Sequence, residues 1–414
     1  MRRRQLVVLT ALALAACAPA PTDQPVSPAT SAPSVTASSP GVANLTPQTL
    51  TAAPRQFDTA AAVLLPITNG WPGVLDELNY YAADDHATVW GVAVTKGRTL
   101  FDAYLTSEDG GSTNWVCPVQ AFDKQNVYTA VSLSADAGPQ LSVELTAVSK
   151  SSGNVEWRYS PPTIGDAVAS ECDMDVAYSL TSTAAGVLFT LAQPESSLSA
   201  MLDPDSGDVV WQSDAPIQVT DGARIGIIAD GGNFSVVDLF TGQVGAAVIQ
   251  TPTPSNGPDF SYSLAGQTGS QLVIVGVTGA SPMIVYQIDA TSGQLVTPTP
   301  VTLARADLTS CQVDGSTLVC TGSSQDTAYG LSLVDGSALW QRVFSDAGTL
   351  PPLIFDGSLY GVSGGVSYVL DVATGNVVSQ GAWPQPIALN EVGMVYGVSD
   401  QTTGVMQYWW APAV

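Results

Sequence analysis

The sequence is poor in cations. Twelve Lys and Arg stand against 36 Asp and Glu, for a formal charge of −24. Three of those cations, Arg2 to Arg4, lie in a segment read below as cleaved, which leaves nine cations against 36 anions and a charge of −27. So acidic a surface repels phosphate backbones and anionic headgroups, and nucleic acid is excluded as a partner. A single histidine, His86, leaves few routes to general-base or zinc chemistry. Long apolar runs are missing too. The stretch from Leu6 to Ala16 covers 11 residues, where a spanning helix needs about 20, and no later segment is long and apolar enough. What the chain does have argues against wholesale disorder: 45% hydrophobic residues and only 12% charged ones. Its 38 Gly and 28 Pro favour tight turns over long helices. Length alone, 414 residues, suggests two or three domains.

The amino terminus carries an address. Met1-Arg2-Arg3-Arg4 is a cationic leader start, and the short apolar stretch after it ends Leu14-Ala15-Ala16-Cys17. Small residues just before a cysteine resemble a bacterial lipobox, so residues 1–17 read as a lipoprotein signal, with Cys17 lipidated as the new first residue. Two or three acyl chains anchor stably where one does not. Residues 18–57 change in composition: between Ala18 and Arg55 there are eight prolines and eleven Ser or Thr, with Asp23 and Arg55 the only charges. Nothing there can bury a core, so the expectation is a disordered tether. Its root-mean-square span is roughly 5–6 Å × √38, or about 35 Å.

From residue 58 to 414 a short pattern recurs. Its fullest form is Asp203-Pro204-Asp205-Ser206-Gly207-Asp208-Val209-Val210-Trp211: a strand ends in a small polar turn, a Gly follows, and a Trp lies four positions later. The frame is read at Gly111 with Trp115, Gly153 with Trp157, Gly207 with Trp211 and Gly336 with Trp340, and without Trp at Gly242, Gly293 and Gly375. The spacing between these seven glycines averages 44 residues. Strand-rich periods of 40–50 residues are the mark of a β-propeller. The glycine suits a positive φ, Asp or Ser bonds nearby turn amides, and the indole fills space between twisted sheets while its N–H reaches a backbone carbonyl. In the unit ending at Gly375 four strands are expected: Pro352 to Phe355, Ser358 to Ser363, Val366 to Asp371 and Asn376 to Gln380. The turns are Asp356-Gly357 and Gly364-Gly365. The first strand of each unit faces the channel and the last lies at the rim.

Residues 393–399 and 405–410 form a further partial unit that stops short of a fourth strand, while Ala60 to Ile67 is strand-like and precedes the first unit. The economical closure places this amino-terminal strand at the rim of the last blade, which removes an open edge. At 44 residues per unit, 58–414 holds eight blades, with seven as the runner-up. The fold class is therefore an all-β propeller of four-stranded antiparallel blades in a single domain.

Four cysteines remain after Cys17 in an exported chain, so disulfides are expected. If Gly315-Ser316 is a two-residue hairpin turn, Cys311 falls opposite Cys320 in a non-hydrogen-bonded pair, where side chains approach most closely. Cys117–Cys172 remains as the second bridge. Neither spacing resembles a C-x-x-C metal-ligand pair.

The Asp203-to-Gly207 frame with Trp211, repeated along nearly all of residues 58–414, resembles the repeat of the PQQ-like (quinoprotein-type) propellers. With the lipobox, the chain looks like a lipoprotein of that family. One branch, the quinoprotein dehydrogenases, binds PQQ and calcium in the channel and carries an adjacent-cysteine disulfide. No vicinal cysteine pair and no matching quinone-binding set occurs in this sequence, so no cofactor is assigned. The other branch is non-catalytic and includes a scaffold lipoprotein of the outer-membrane barrel assembly machinery. That resemblance implies a binding role, with a protein or envelope partner.

Four clusters invite chemistry, and each has a plainer reading. Asp84-Asp85-His86 suggests acid/base or metal work but is expected to be a solvated turn. Glu171, Asp173 and Asp175 alternate as calcium ligands would, yet read as an acidic strand edge. Tyr408-Trp409-Trp410 has a sugar-stacking look, but adjacent strand residues point to opposite faces, so core packing is expected. Asn69-Gly70-Trp71-Pro72-Gly73 keeps both readings. The conclusion from sequence is a membrane-anchored, extracytoplasmic, non-enzymatic binding module. The alternatives are a glycan hydrolase or lyase using channel carboxylates, and a ligand sensor.

Overall fold

The computed structural model describes residues 53–68, 70, 73–84, 88–104, 116–134, 141–162, 177–192, 197–230, 233–250, 260–278, 281–300, 308–322, 327–343, 353–363, 365–400 and 402–414. The strands form eight separate four-stranded antiparallel sheets. Seven are consecutive: blade 1 spans 74–104, blade 2 116–159, blade 3 177–213, blade 4 217–250, blade 5 260–300, blade 6 308–343 and blade 7 353–381. Blade 8 takes three strands from 386–412 and its fourth, Val63–Thr68, from the amino-terminal end. Val63 pairs with Trp410 and Thr68 with Gln407, so this strand lies at the rim, antiparallel to Met406–Pro412. In blade 7 the strands are Leu353–Phe355, Ser358–Ser363, Val366–Asp371 and Val377–Gly381. Each bound lies within one residue of the sequence expectation.

The second strands show why the pattern folds this way. Gly186–Ala192 is buried at every position, because blades stack on both of its faces and a continuous apolar run satisfies both. The rim strand Val209–Ser213, by contrast, is mostly exposed. Between neighbouring blades lie eight apolar clusters, one for each junction of the ring. One of these clusters joins blade 8 to blade 1, with Leu65, Ile67, Val395 and Trp410 packed on Leu75, Tyr80 and Val92. The circle is closed by the same kind of packing that fills every other junction.

Two sequence boundaries change. Ala60 and Ala61 belong to a 3-10 turn, Thr59–Ala61, capped by the Asp58 carboxylate, so the strand starts only at Val63. Residues 53–57, an arm inside the segment read as tether, also pack on the folded body. Pro54 O accepts from Tyr360 Oη at 2.7 Å, and the Phe57 ring packs between Tyr360 and Trp383. An aromatic in a Pro/Ser/Thr/Ala-rich stretch was the signal that composition averaged away.

The repeat frame at Gly111 is also corrected. Blade 1 passes from its third to its fourth strand at Gly97 (φ +54°), after the 3-10 turn Val94–Lys96. Gly111 and Trp115 lie outside the described residues, between the last strand of blade 1, Arg98–Tyr104, and the first of blade 2, Val116–Phe122. They are not an intra-blade turn. A further Asp-x-x-x-Gly turn that the spacing missed occurs at Asp400 to Gly404 (φ +71°). It joins the second and third strands of blade 8.

Candidate functional site

The repeat residues are spent on holding blades together. At Gly375, its N–H donates to Asp371 O at 2.7 Å, and the Asp371 carboxylate accepts from Thr374 N–H and Oγ1 at 2.8 and 2.7 Å. The same backbone closure recurs at Gly153, Gly207, Gly242, Gly293 and Gly336. Above Gly375 sits an indole of the preceding blade. Trp340 donates its Nε1–H to Val372 O at 2.7 Å, and a Cβ at Gly375 would lie 2.4 Å from Trp340 Cγ. Trp157 caps Gly207 and donates to Pro204 O, and Trp211 caps Gly242 and donates to Leu239 O. Phe101 takes the place over Gly153. The glycine therefore answers two demands, a left-handed backbone and a flat socket for the next ring. Sequence reasoning saw the first. The second depends on a residue 31–52 positions upstream, and the recurrence of Trp four residues after four of the seven glycines was the available signal.

A second set of bonds ties the turns on this side into a collar. In six blades the residue after the turn's first residue donates its N–H to the carbonyl of the hairpin joining strands one and two, as Val372 does to Gly357 O and Leu333 to Ser316 O, and in blade 8 Ala413, just past the third strand, does the same to Val392 O. Blade 3 has Pro204 at that position, which has no N–H to give. Between blades, Thr268 Oγ1 donates to Gly315 O, Gly357 N–H to Asp314 Oδ2, and Asn390 Nδ2 to Glu77 O. Lys150 reaches from blade 2 into blade 1, ion-paired with Asp76, bonded to Asp123 O, and placed over the Tyr81 and Phe122 rings. Every connection on this face is short, from two to six residues. The opposite face carries the connections between blades, which reach 17 residues between Tyr159 and Ala177. The ring thus has a stitched tight-turn face and a face of longer connections.

The buried carboxylates are engaged structurally. Asp84, 8% exposed, accepts from Thr88 N–H at 2.9 Å and Trp90 Nε1–H at 2.8 Å, and its own N–H donates to Thr88 O. It was expected in a solvated turn. It is instead the buried cap of that hairpin, because the indole N–H needs an acceptor once Trp90 packs inward. Asp85 and His86 lie outside the described residues. Glu144, 8% exposed, is ion-paired with Arg158 in blade 2. Among the described residues no group of three or more His, Cys, Asp and Glu is arranged to hold a metal ion.

Burial raises the phenols above their usual range. Tyr81 is pushed up to about 12 by desolvation and the nearby Asp76 charge, and Tyr408 to about 12 by desolvation. Tyr80, Tyr128, Tyr286 and Tyr360 are raised further for the same first reason. The turn acids Asp289, Asp335 and Asp400 move down, held ionised by amide and hydroxyl donors of their own turns.

Tyr408 and Trp410 are buried, 4% and 0% exposed, in the junction of blades 8 and 1, where the Tyr408 hydroxyl donates to Gly70 O. Trp409 is half-buried and packs toward blade 7. Cys311 and Cys320 are disulfide-bonded across the first hairpin of blade 6, their Cα atoms 4.1 Å apart. The Cys117 side chain and Cys172 lie outside the described residues, as do Cys17, Asn69, Trp71, Pro72, Glu171, Asp173 and Asp175. No described helix is long and apolar enough to cross a membrane.

No family model and no curated protein matches this chain. Among solved structures it is similar to the Dos1 propeller, with a TM-score of 0.52 and 10% identity over 87% of this chain and 95% of that one. It also matches BamB from Moraxella catarrhalis (TM-score 0.49, 14% identity, 84% of this chain and 98% of that one). A third match is the computationally designed Ika8 protein (TM-score 0.48, 14% identity, 84% and 98%). At such identities the likeness is one of fold alone, a ring of radiating four-stranded sheets.

Proposed function

We propose that this chain is a lipid-anchored, extracytoplasmic ring that binds a protein or envelope partner and performs no chemistry itself. One observation carries the reading. The residues that recur around the chain, the turn Asp or Ser, the Gly and the Trp, are engaged in holding blades to one another. A rigid ring of this kind offers broad, fixed surfaces, and the Cys17 lipid with its tether would hold those surfaces at the membrane.

The test is capture of partners from cross-linked envelopes with the full-length tagged chain. A variant lacking Val63–Thr68 serves as the control, because opening the ring disturbs every surface at once. A reproducible partner recovered by the intact chain and lost with the opened one is the expected result. Equal recovery by both, or none by either, overturns the reading.

A further inference from the structure

One row of side chains interrupts the apolar junction between blades 1 and 2. Gln120, Thr129, Thr146 and Arg158 stand opposite one another on the four strands of blade 2, so their side chains share one face of the sheet. On that face Val127, Val131 and Val148 pack against Tyr81, Val89, Phe101 and Ala103 of blade 1, with Thr129 between Val127 and Val131. The rim residue of this row, Arg158, follows the turn glycine Gly153 by five positions. Rows in the same place in other blades are apolar. They read Leu180–Phe189–Ala200 in blade 3 and Leu264–Ile274–Tyr286 in blade 5, and they fill the junction with the preceding blade.

The polar row of blade 2 does not satisfy itself. Glu144, on the same face, takes the Arg158 guanidinium and accepts from the Thr146 hydroxyl at 3.5 Å. The Thr129 hydroxyl and both ends of the Gln120 amide are buried and bonded to no protein group. Thr129 itself is 0% exposed. Unmade hydrogen bonds at buried groups are costly, and native proteins meet them with protein partners or with ordered water. We propose that the junction of blades 1 and 2 is a binding site for buried water, held by the Gln120 amide and the Thr129 hydroxyl.

The chemistry of the row selects this occupant. The amide nitrogen donates, its oxygen accepts and the hydroxyl does both, so the ligand must donate and accept as well. An ion meets no net charge here, because Glu144 and Arg158 cancel. Apolar contacts on either side of Thr129 confine the ligand to the polar pair. A buried water makes about three hydrogen bonds, and Gln120 Nε2, Gln120 Oε1 and Thr129 Oγ1 are the unpartnered atoms that supply them. Water therefore does in this junction what Phe189 does in the next.

The test is a crystal structure of the full chain at a resolution that shows water, together with oxygen-17 relaxation dispersion, which counts long-lived buried waters in solution. Wild type should show water density within about 2.7–3.2 Å of the Gln120 amide and Thr129 Oγ1. Thr129→Val should lose the equivalent of at least one long-lived water, and its urea midpoint should fall. Gln120→Leu, which copies Leu180 of blade 3, should show the same loss of water. Density with both groups bonded directly to protein atoms, or to a solute other than water, overturns the proposal. So does undiminished dispersion in a folded variant. A raised midpoint in Thr129→Val also overturns it, since removing an unpaired buried hydroxyl stabilises. If neither variant folds, the wild-type density decides.

Discussion

Gly375→Ala and Gly315→Ala make a matched pair. Both glycines have positive φ, +65° and +57°. At Gly315 nothing lies within 4 Å of the added Cβ, whereas at Gly375 it would sit 2.4 Å from Trp340 Cγ and 2.7 Å from Trp340 Cβ. The Gly315 change should therefore cost only the left-handed backbone penalty of about 1–2 kcal/mol. The Gly375 change carries that penalty and also drives the indole from its socket. Trp340 is 9% exposed and its N–H is bonded to Val372 O. Displacing it approaches a Trp→Ala change, about 3–5 kcal/mol in all, part of it from leaving a buried carbonyl unpaired. In the double variant Gly375→Ala/Trp340→Ala the clash is gone, so the two costs should fall short of adding by about 2–3 kcal/mol. Urea unfolding followed by circular dichroism reads the wild type, the two glycine variants, Trp340→Ala and the double variant. Equal losses from the two glycine changes, with full additivity at 375 and 340, would refute the socket.

Other outcomes follow from the same contacts. Cys311→Ser/Cys320→Ser, or reduction of the wild type, should lower stability by no more than about 3 kcal/mol, since the bridge closes a short loop; thermal unfolding with and without reductant checks this. The phenols are neutral when folded and raised above their unfolded value, so their contribution is complete below about pH 10. It is lost as pH rises through the folded values, about 12 for Tyr81 and Tyr408. Unfolding should thus steepen above pH 10, together with the appearance of tyrosinate absorbance. Phe57→Ala, in a residue 7% exposed between Tyr360 and Trp383, should release the arm at a cost of about 3–5 kcal/mol. Proteolysis should then cut ahead of Val63 first. Lys150→Met should cost about 1–3 kcal/mol, because Asp76 and Asp123 O lose their shared donor between blades 1 and 2.

What could be read from sequence was whatever repeats locally. The blade 7 strands were visible because two hairpin turns and one Asp-x-x-x-Gly frame enclose them, and the Cys311–Cys320 register followed from the parity of a two-residue turn. Gly97 escaped because its turn, Val94–Lys96, has no Asp or Ser to mark it. Gly111 misled because a polar Gly-rich stretch between blades matches the same short frame. The length of the chain, set against the period, still gave eight, since that estimate does not depend on any one turn. The placement of Trp340 over Gly375, of Pro54 under Tyr360 and of Asp84 beneath Trp90 was not legible. The first two join residues distant in sequence that meet only when neighbouring blades pack, and the third, within one hairpin, depends on which way the Trp90 indole turns.

Native-state hydrogen exchange across the seam tests the closed ring most directly. Amides of Val63–Thr68 that face Met406–Pro412 should be protected, and should lose protection together with that strand in one opening event. Exchange of 63–68 at the rate of an unstructured chain, while 406–412 stays protected, would mean that the two ends do not meet and that there is no ring.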